Sequence, residues 1–440
     1  MRTSGFKVKR LRWWMLCFFV VIMLFNYIDR SSLSIALALI SRDFGLSTSL
    51  AGVLSSAFFW SYTFMQIPGG WLTQKYKPRA VITTALVGWG ISQALTAVAA
   101  TFNVFIWCRL LLGIFEGPVQ VGMNTSTLRW LRKNERGRGS TIIDSGGPLG
   151  SAIGSIVVTG LIVWLGTWRA AFIFLGALTL LVGLLAWLFI RNNPSQHPLI
   201  TSDEADYLEA GIAQEEAIEK SEETLAKATW GSVFSRLSPW MLLIAFCAYD
   251  AVQYGLLTWV PFYIAQSRHV SFAITGVASM VVYLGGFAGE MVVGQISDRW
   301  LQAGASPNKV LRTLFVTAGI GVTLCMLFVN VVADVSVAVA LLTIANFFTR
   351  WGGLYWSVPQ RLVRRNQVAV LSGAMNFAGN AAGIAIPIVV GFIADVTGSF
   401  TGAFIMFAVC GILMALSSAM IQYFRKGETA AVVAEGDARV

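Results

Sequence analysis

Long apolar stretches alternate with short polar breaks along almost the whole chain. Apolar runs at about 13–41, 48–74, 79–99, 103–130, 138–163, 168–191, 239–267, 271–298, 309–331, 334–358, 367–394 and 399–424 predict twelve helices. Each is long enough for a helix to cross a hydrocarbon core of about 30 Å, which needs roughly 20 residues. The runs are continuous and do not alternate at period two, which argues against the strands of an outer-membrane barrel. The pattern therefore predicts an all-α membrane protein with twelve transmembrane helices in two pseudo-symmetric six-helix halves. One long polar segment, 192–238, separates the halves, so the expected organisation is 1–191, 192–238 and 239–440, the last with a short tail. The separating segment opens Asn192-Asn193-Pro194, and Thr201-Ser202-Asp203-Glu204 has the form of a capping box. An acidic helix follows, from Asp206 through Glu223. Its composition reads as a solvated linker without chemistry of its own.

The two halves echo each other. Gly69-Gly70-Trp71-Leu72-Thr73-Gln74-Lys75-Tyr76 ends the second run, and Val293-Gly294-Gln295-Ile296-Ser297-Asp298-Arg299-Trp300 ends the eighth. The stretch 140–154 resembles 372–386, with Asp144 opposite Asn376 and Gly147 opposite Gly379. Six helices repeated once is the arrangement of secondary transporters, whose substrate site is expected between the repeats near the midplane.

Composition adjusts this picture only at the edges. The chain is 56% hydrophobic and 12% charged, with a mean hydropathy of +0.68, which overrules the soluble multidomain organisation that 440 residues alone would suggest. The net charge of +10 does not point to nucleic acid, because the basic residues gather in loops on alternate sides. Arg2, Lys7, Lys9, Arg10 and Arg12 precede the first run, and Lys75, Lys77 and Arg79 follow the second. Arg129, Arg132, Lys133, Arg136 and Arg138 follow the fourth, Arg361, Arg364 and Arg365 the tenth, and Arg425 and Lys426 the last. That positive-inside pattern places both termini in the cytoplasm. The basic N-terminus resembles a signal peptide, but its apolar stretch runs past the usual 7–15 residues or so, and a retained first helix is expected. Cys17, Cys108, Cys247, Cys325 and Cys410 are scattered through apolar runs and read as small buried hydrophobes. His197 and His269 lie near segment ends, so no metal centre is expected. The enzyme motifs GxSxG, HExxH and the P-loop do not occur, which leaves little room for an enzyme.

Candidate chemistry lies in charges placed where lipid would surround them. Asp29 and Arg30 sit inside the first run, where a central charge costs roughly 2.5–3.5 kcal/mol on insertion scales. Arg109 and Glu116 are seven residues apart on the fourth, two turns and about 10 Å along one helix face. All four should point into the bundle, either as a structural ion network or as substrate and proton groups. Tyr62 and Gln66, and again Asn376 and Asn380, are spaced i, i+4 and share a face. Each such pair suits polar groups of a substrate or hydrogen bonds between helices. Asp144, Asp250, Glu290 and Arg350 add further intramembrane charge. Asp250 and Arg350 pair across the second half or reshape a pocket, and both readings stay open.

The glycine, acidic and basic pattern after the second and eighth runs resembles the loop signature of the major facilitator superfamily. The copy Gly294-Gln295-Ile296-Ser297-Asp298-Arg299 matches well, whereas the first has Gln74 for an aspartate and Lys77 for a glycine. A narrower resemblance is to the anion:cation symporter family of bacterial sugar-acid carriers, related to vesicular glutamate and sialic acid carriers. It rests on Asn26-Tyr27-Ile28-Asp29-Arg30, the stretch from Tyr62 to Trp71, and the stretch from Arg109 to Pro118. Leu257-Thr258-Trp259-Val260-Pro261 and Asn376-Phe377-Ala378-Gly379-Asn380 support it in the second half.

That resemblance implies the major facilitator fold and proton-coupled symport of a small organic anion by alternating access, with a sugar acid (aldonate, uronate or aldarate) as leading substrate. Aromatic or other carboxylates, or anion exchange, are the alternative. It assigns proton coupling to Asp29 and Glu116 and substrate binding to Arg30, Arg109, Tyr62, Gln66, Trp356, Asn376 and Asn380. Gly147 departs from the family, standing where galactonate-type carriers have a polar, substrate-contacting residue. No cofactor beyond the coupling proton, no metal and no nucleic acid are expected, and a monomer in a bacterial inner membrane is the implied setting.

Overall fold

The structure is a computed structural model that describes residues 7–222, 230–268, 270–363 and 367–423. Arg2, Glu223, His269, Arg364, Arg365, Arg425 and Lys426, used in the sequence reading, lie outside the described residues. The described chain is almost wholly helical. The first six expected runs become α1 (Leu11–Phe44), α2 (Thr48–Thr96), α3 (Phe102–Trp130), α4 (Lys133–Leu165) and α5 (Trp168–Phe189). The segment after them holds a short 3-10 turn, Pro194–Gln196, then α6 (Ser202–Glu222) and α7 (Trp230–Val233). The rest are α8 (Leu237–Ser267), α9 (Phe272–Gln302), α10 (Pro307–Val329), α11 (Val335–Thr349) with a 3-10 continuation Arg350–Ser357, α12 (Pro359–Leu362), α13 (Val368–Thr397) and α14 (Thr401–Met420).

Ten of these stretches are long and apolar enough to cross a membrane. The second and third expected spans fall outside that ten and are joined end to end in the 49 residues of α2. Lys77 breaks them apart with φ 69° and ψ 154°, a backbone region that only glycine enters without strain. The glycine usual there in the family resemblance thus has a physical reason, and Lys77 occupies its conformation regardless. Helix ends elsewhere follow side-chain chemistry. Ser47, Thr101 and Ser306 each accept a backbone N–H of the first turn. Gly45 closes α1 at φ 61°.

The chain packs as two compact units. One comprises Met1–Thr224 with Thr258–Met280, the other Leu225–Leu257 with Val281–Val440. In the first, α3 lies along α2, α4 along α1, and α5 along the second arm of α2. Gly146, Gly150 and Gly154 form a stripe on α4 where an added Cβ would meet Met23, Leu24 and Ile28 of α1 within about 3.0 Å. Small residues bring backbones close where lipid supplies no hydrophobic drive. The internal repeat reappears in such contacts. Gly90 and Gly176 each face the other's carbonyl oxygen in the first unit, and Gly319 and Gly411 do the same in the second. Large apolar residues such as Ile67, Trp164, Leu188 and Val396 remain exposed, as membrane spans require. Cys17 is exposed too, against the expectation that every cysteine is buried.

The expected solvated linker is docked over much of its length. Ala205 and Leu208 are buried, and Val8 N–H donates to Leu199 O at 2.9 Å. The capping box is only half made. Glu204 N–H donates to Thr201 Oγ1 at 3.4 Å, but the Glu204 carboxylate turns to α1 instead of its own helix. It accepts Leu11 N–H at 2.7 Å and Arg12 N–H at 3.3 Å, and pairs with the Arg12 guanidinium at 2.8 Å. Residue Arg10, at the head of α1, supplies no side-chain cap, so Glu204 fills that vacancy. Arg12 also pairs with Glu135, Arg136 pairs with Glu215, and Arg132 donates to Tyr207 O. His197 is wedged between Trp130 and Phe189, its Nε2 at 3.0 Å from Phe189 O. Burial is the main cause lowering its pKa below the usual 6.5.

Candidate functional site

The first unit holds a buried charge centre built by α1, α2, α3 and α5. On α1, Asn26, Asp29 and Ser31 through Ser34 except Leu33 form a polar patch that is almost wholly buried. Ser31, Ser32 and Ser34 satisfy themselves by donating to carbonyls three residues back. Asp29 and Arg30, as neighbours on a helix, point about 100° apart, and their partners lie on different helices. Asp29 Oδ2 accepts the hydroxyl of Thr179 on α5 at 3.1 Å. Arg30 crosses to α3, where Glu116 Oε1 accepts Nε at 2.8 Å and lies 2.7 Å from Nη2.

Arg30 thus pairs across helices with Glu116, not with its chain neighbour Asp29. The recorded ion pair joins Arg30 to Glu116, because that geometry gives the guanidinium a two-pronged hold on one carboxylate oxygen. Three rings enclose the same guanidinium, Tyr27, Phe58 and Tyr62, with centroids at 5.2, 5.0 and 4.7 Å. Phe58 and Tyr62 stack on each other at 5.1 Å. Arg109 is 2% exposed, and its Nε and Nη1 have no hydrogen-bond partner among the described residues. It lies within electrostatic reach of Glu116 and Asp29 and 5.8 Å from the Phe58 ring. Two carboxylates and two guanidiniums therefore balance, with hydrogen-bonding capacity left over on Asp29 Oδ1 and Glu116 Oε2 as well.

The other expected residues of this unit are placed less centrally. Gln66 is half-buried, one turn beyond Tyr62, and Asp144 is exposed on α4, not buried as an intramembrane charge was expected to be. Gly147 lies against the ring of Tyr27, which an added Cβ would meet at 3.0 Å. The space left by its missing side chain is thus occupied by an aromatic face of the Arg30 enclosure.

The second unit holds its own polar set. Asn380 donates to Asn376 O at 2.8 Å and to Asn376 Oδ1 at 3.0 Å, so their i, i+4 spacing becomes a direct bond. Trp356 is 48% exposed, with one edge against Phe246 at 5.4 Å. Arg350 Nη1 lies 3.7 Å from Glu290 Oε2, and Arg350 also acts electrostatically on Asp250. Arg350 thus forms an ion pair with Glu290, whereas one of the two open sequence readings paired it with Asp250. Sequence reasoning missed Thr179 and Phe58. Phe58 was readable from its i, i+4 spacing to Tyr62. Thr179 gave only the weak signal of one hydroxyl in a leucine-rich run.

A family model for the Major Facilitator Superfamily matches residues 19–387. Among curated relatives, the hexuronate transporter of Bacillus subtilis (strain 168) is 30% identical over 91% of this chain and 92% of its own. The probable galactarate/D-glucarate transporter GudP of Escherichia coli (strain K12) is 29% identical over 92% of each chain. The D-galactonate transporter of Escherichia coli O6:H1 is 28% identical over 93% of this chain and 95% of its own. The fold is similar to that of the xylose transporter XylE from E. coli in an inward open conformation, with TM-score 0.72 and 15% identity over 94% of this chain and 97% of that one. A bacterial homologue of the lysosomal transporter Spinster gives TM-score 0.71 at 16% identity, covering 94% and 96%. Fold, helix pattern and family model agree: this chain is a multi-pass membrane transporter, not an enzyme, and belongs to the Major Facilitator Superfamily.

Proposed function

We propose that the protein is a proton-coupled symporter of a small sugar-acid anion, working by alternating access in a bacterial inner membrane with both termini cytoplasmic. The observation that carries this reading is the balanced buried centre in which Arg30 is held by Glu116 while Arg109 keeps unclaimed N–H groups. A guanidinium presents a fork that matches a carboxylate. Adding one anion to a neutral buried centre leaves an uncompensated charge, which costs several kcal/mol. A proton arriving on Glu116 removes that excess and at the same time releases Arg30 for the incoming carboxylate. Asp29, tied to Thr179, is the second carboxyl that takes up a proton. Tyr62, Gln66, Trp356, Asn376 and Asn380 supply hydroxyl, amide and ring contacts for a polyhydroxylated substrate. The names of the relatives favour aldarates, hexuronates and galactonate as substrates. The protein works as a monomer with no cofactor besides the proton.

The ring enclosure of Arg30, closed on one side by Tyr27 over Gly147, favours a second reading in which the anion is an aromatic carboxylate. Purified protein in proteoliposomes separates the two. An inward proton gradient should drive accumulation of galactarate, glucuronate or galactonate, and benzoate should not compete. Accumulation of benzoate alone would support the second reading. Uptake that ignores the proton gradient would overturn the coupling.

A further inference from the structure

The charge centre of the first unit is balanced; that of the second is not. Asp250 of α8, Glu290 of α9 and Arg350, which follows α11, bring two carboxyl groups to one guanidinium. Arg350 acts electrostatically on both. It pairs with Glu290 at 3.7 Å, a separation that leaves Glu290 Oε2 buried without a hydrogen bond. Asp250 is 8% exposed, and no hydrogen bond reaches it among the described residues. Its carboxyl is pressed against α13, where any side chain at Gly379 would overlap Oδ2 and the Phe246 ring. The charged or titratable groups that act on it are Arg350 and, on its own helix, Cys247. From α13, the uncharged Gly379 lies against it.

With both carboxyl groups ionised, the cluster would bury one net negative charge. A buried uncompensated charge is expensive, and the usual resolution is that the group neutralises. Of the two acids, Glu290 has the guanidinium contact and Asp250 has no hydrogen-bond donor to stabilise its anion. We propose that Asp250 is a second proton-binding site of this protein, carrying one exchangeable proton in a centre whose fixed charges are Glu290 and Arg350. The step is a protonation alone: a carboxylate oxygen of Asp250 takes a proton from hydronium and leaves water, with no other bond made or broken. It is independent of the roles proposed for Asp29 and Glu116.

The test reads proton binding, not uptake, so its failure is separable from failure of the transport reading. Infrared spectroscopy of purified protein with Asp29→Asn and Glu116→Gln already in place would follow the protonated-carboxyl band as pH rises through neutrality. Adding Asp250→Asn should remove one such band at every pH, whereas adding Glu290→Gln, which leaves Arg350 to balance Asp250 alone, should make the band disappear at lower pH than in the parent. Arg350→Met, which strips the only guanidinium from the cluster, should add one bound proton, and this covers the case in which Asp250→Asn does not fold. Two results would overturn the proposal: Asp250→Asn titrating like its parent, or Arg350→Met binding no extra proton. Sodium ions displacing the band at constant pH would overturn it too, since that marks a metal-cation site.

Discussion

Replacing Glu116 by glutamine removes the carboxylate that holds Arg30 at 2.7–2.8 Å without changing the shape of the side chain. Removing one partner of a buried ion pair costs about 3–5 kcal/mol, because the other charge is stranded. Two features of this site point to the lower end. Glutamine keeps one acceptor for the guanidinium, and the three enclosing rings still offer cation–π attraction of about 0.5–2 kcal/mol. A loss of about 3 kcal/mol corresponds to roughly two powers of ten in the folding equilibrium. The assay is thermal unfolding of purified protein in detergent with and without a saturating sugar acid. The variant should unfold at a lower temperature, and the anion should restore more stability to it than to the parent, since its carboxylate replaces the missing partner. A ligand at 100 times its Kd adds about 2.7 kcal/mol, nearly the whole deficit. In proteoliposomes, gradient-driven accumulation should vanish while counterflow persists. If Glu116→Gln matched the parent in melting temperature and still accumulated anion on a proton gradient, the exchange of partners at Arg30 would be refuted.

Four further outcomes follow from other contacts. Thr179→Val removes the hydroxyl that solvates Asp29 and should destabilise by about 1–3 kcal/mol in thermal melts, with Thr179→Ser restoring most of the loss. Lys77→Gly should stabilise by about 1–2 kcal/mol, the relief of roughly 1–3 kcal/mol of backbone strain less the entropy of glycine; a lower melting temperature would contradict it. Glu204→Ala uncaps α1 and should cost about 1–2 kcal/mol, whereas Glu204→Gln, keeping the acceptor, should cost less when both are compared by melting. Because burial holds the His197 pKa below 6.5, the unfolded chain binds a proton that the folded chain refuses. Stability from this group is therefore present above pH 6.5 and declines as pH falls through and below it, and His197→Asn should flatten that slope in a melting series.

The helices were legible because lipid imposes a simple code: a run of about 20 apolar residues has few alternatives to a membrane helix. What sequence could not supply was azimuth. Spacing put Arg109 and Glu116 on one face and adjacency put Asp29 beside Arg30, yet the contacts made by Arg30 and Asp29 cross from α1 to α3 and to α5. Those partners depend on how helices are rotated against each other, which glycine contacts such as Gly90 with Gly176 set and no single segment encodes. The departure at Lys77 was visible as an odd residue, but its positive φ became readable only from backbone geometry. In the polar segment, the acidic surface expected from composition is present at Asp203, Asp206 and Glu209, which are exposed, whereas Glu204 and Glu215 each find an arginine of the first unit.

The docking of α6 also has a consequence for biogenesis. Arg12, Arg132 and Arg136 belong to the basic clusters beside the membrane runs, and in the orientation proposed above their positive charge would fix that orientation while the chain is being inserted, a step on which acidic residues have little influence. Synthesis runs from the N-terminus, so these arginines meet the membrane machinery before Glu204 and Glu215 have been made. In the orientation proposed above, each arginine thus serves first as a topogenic signal and afterwards as an anchoring point.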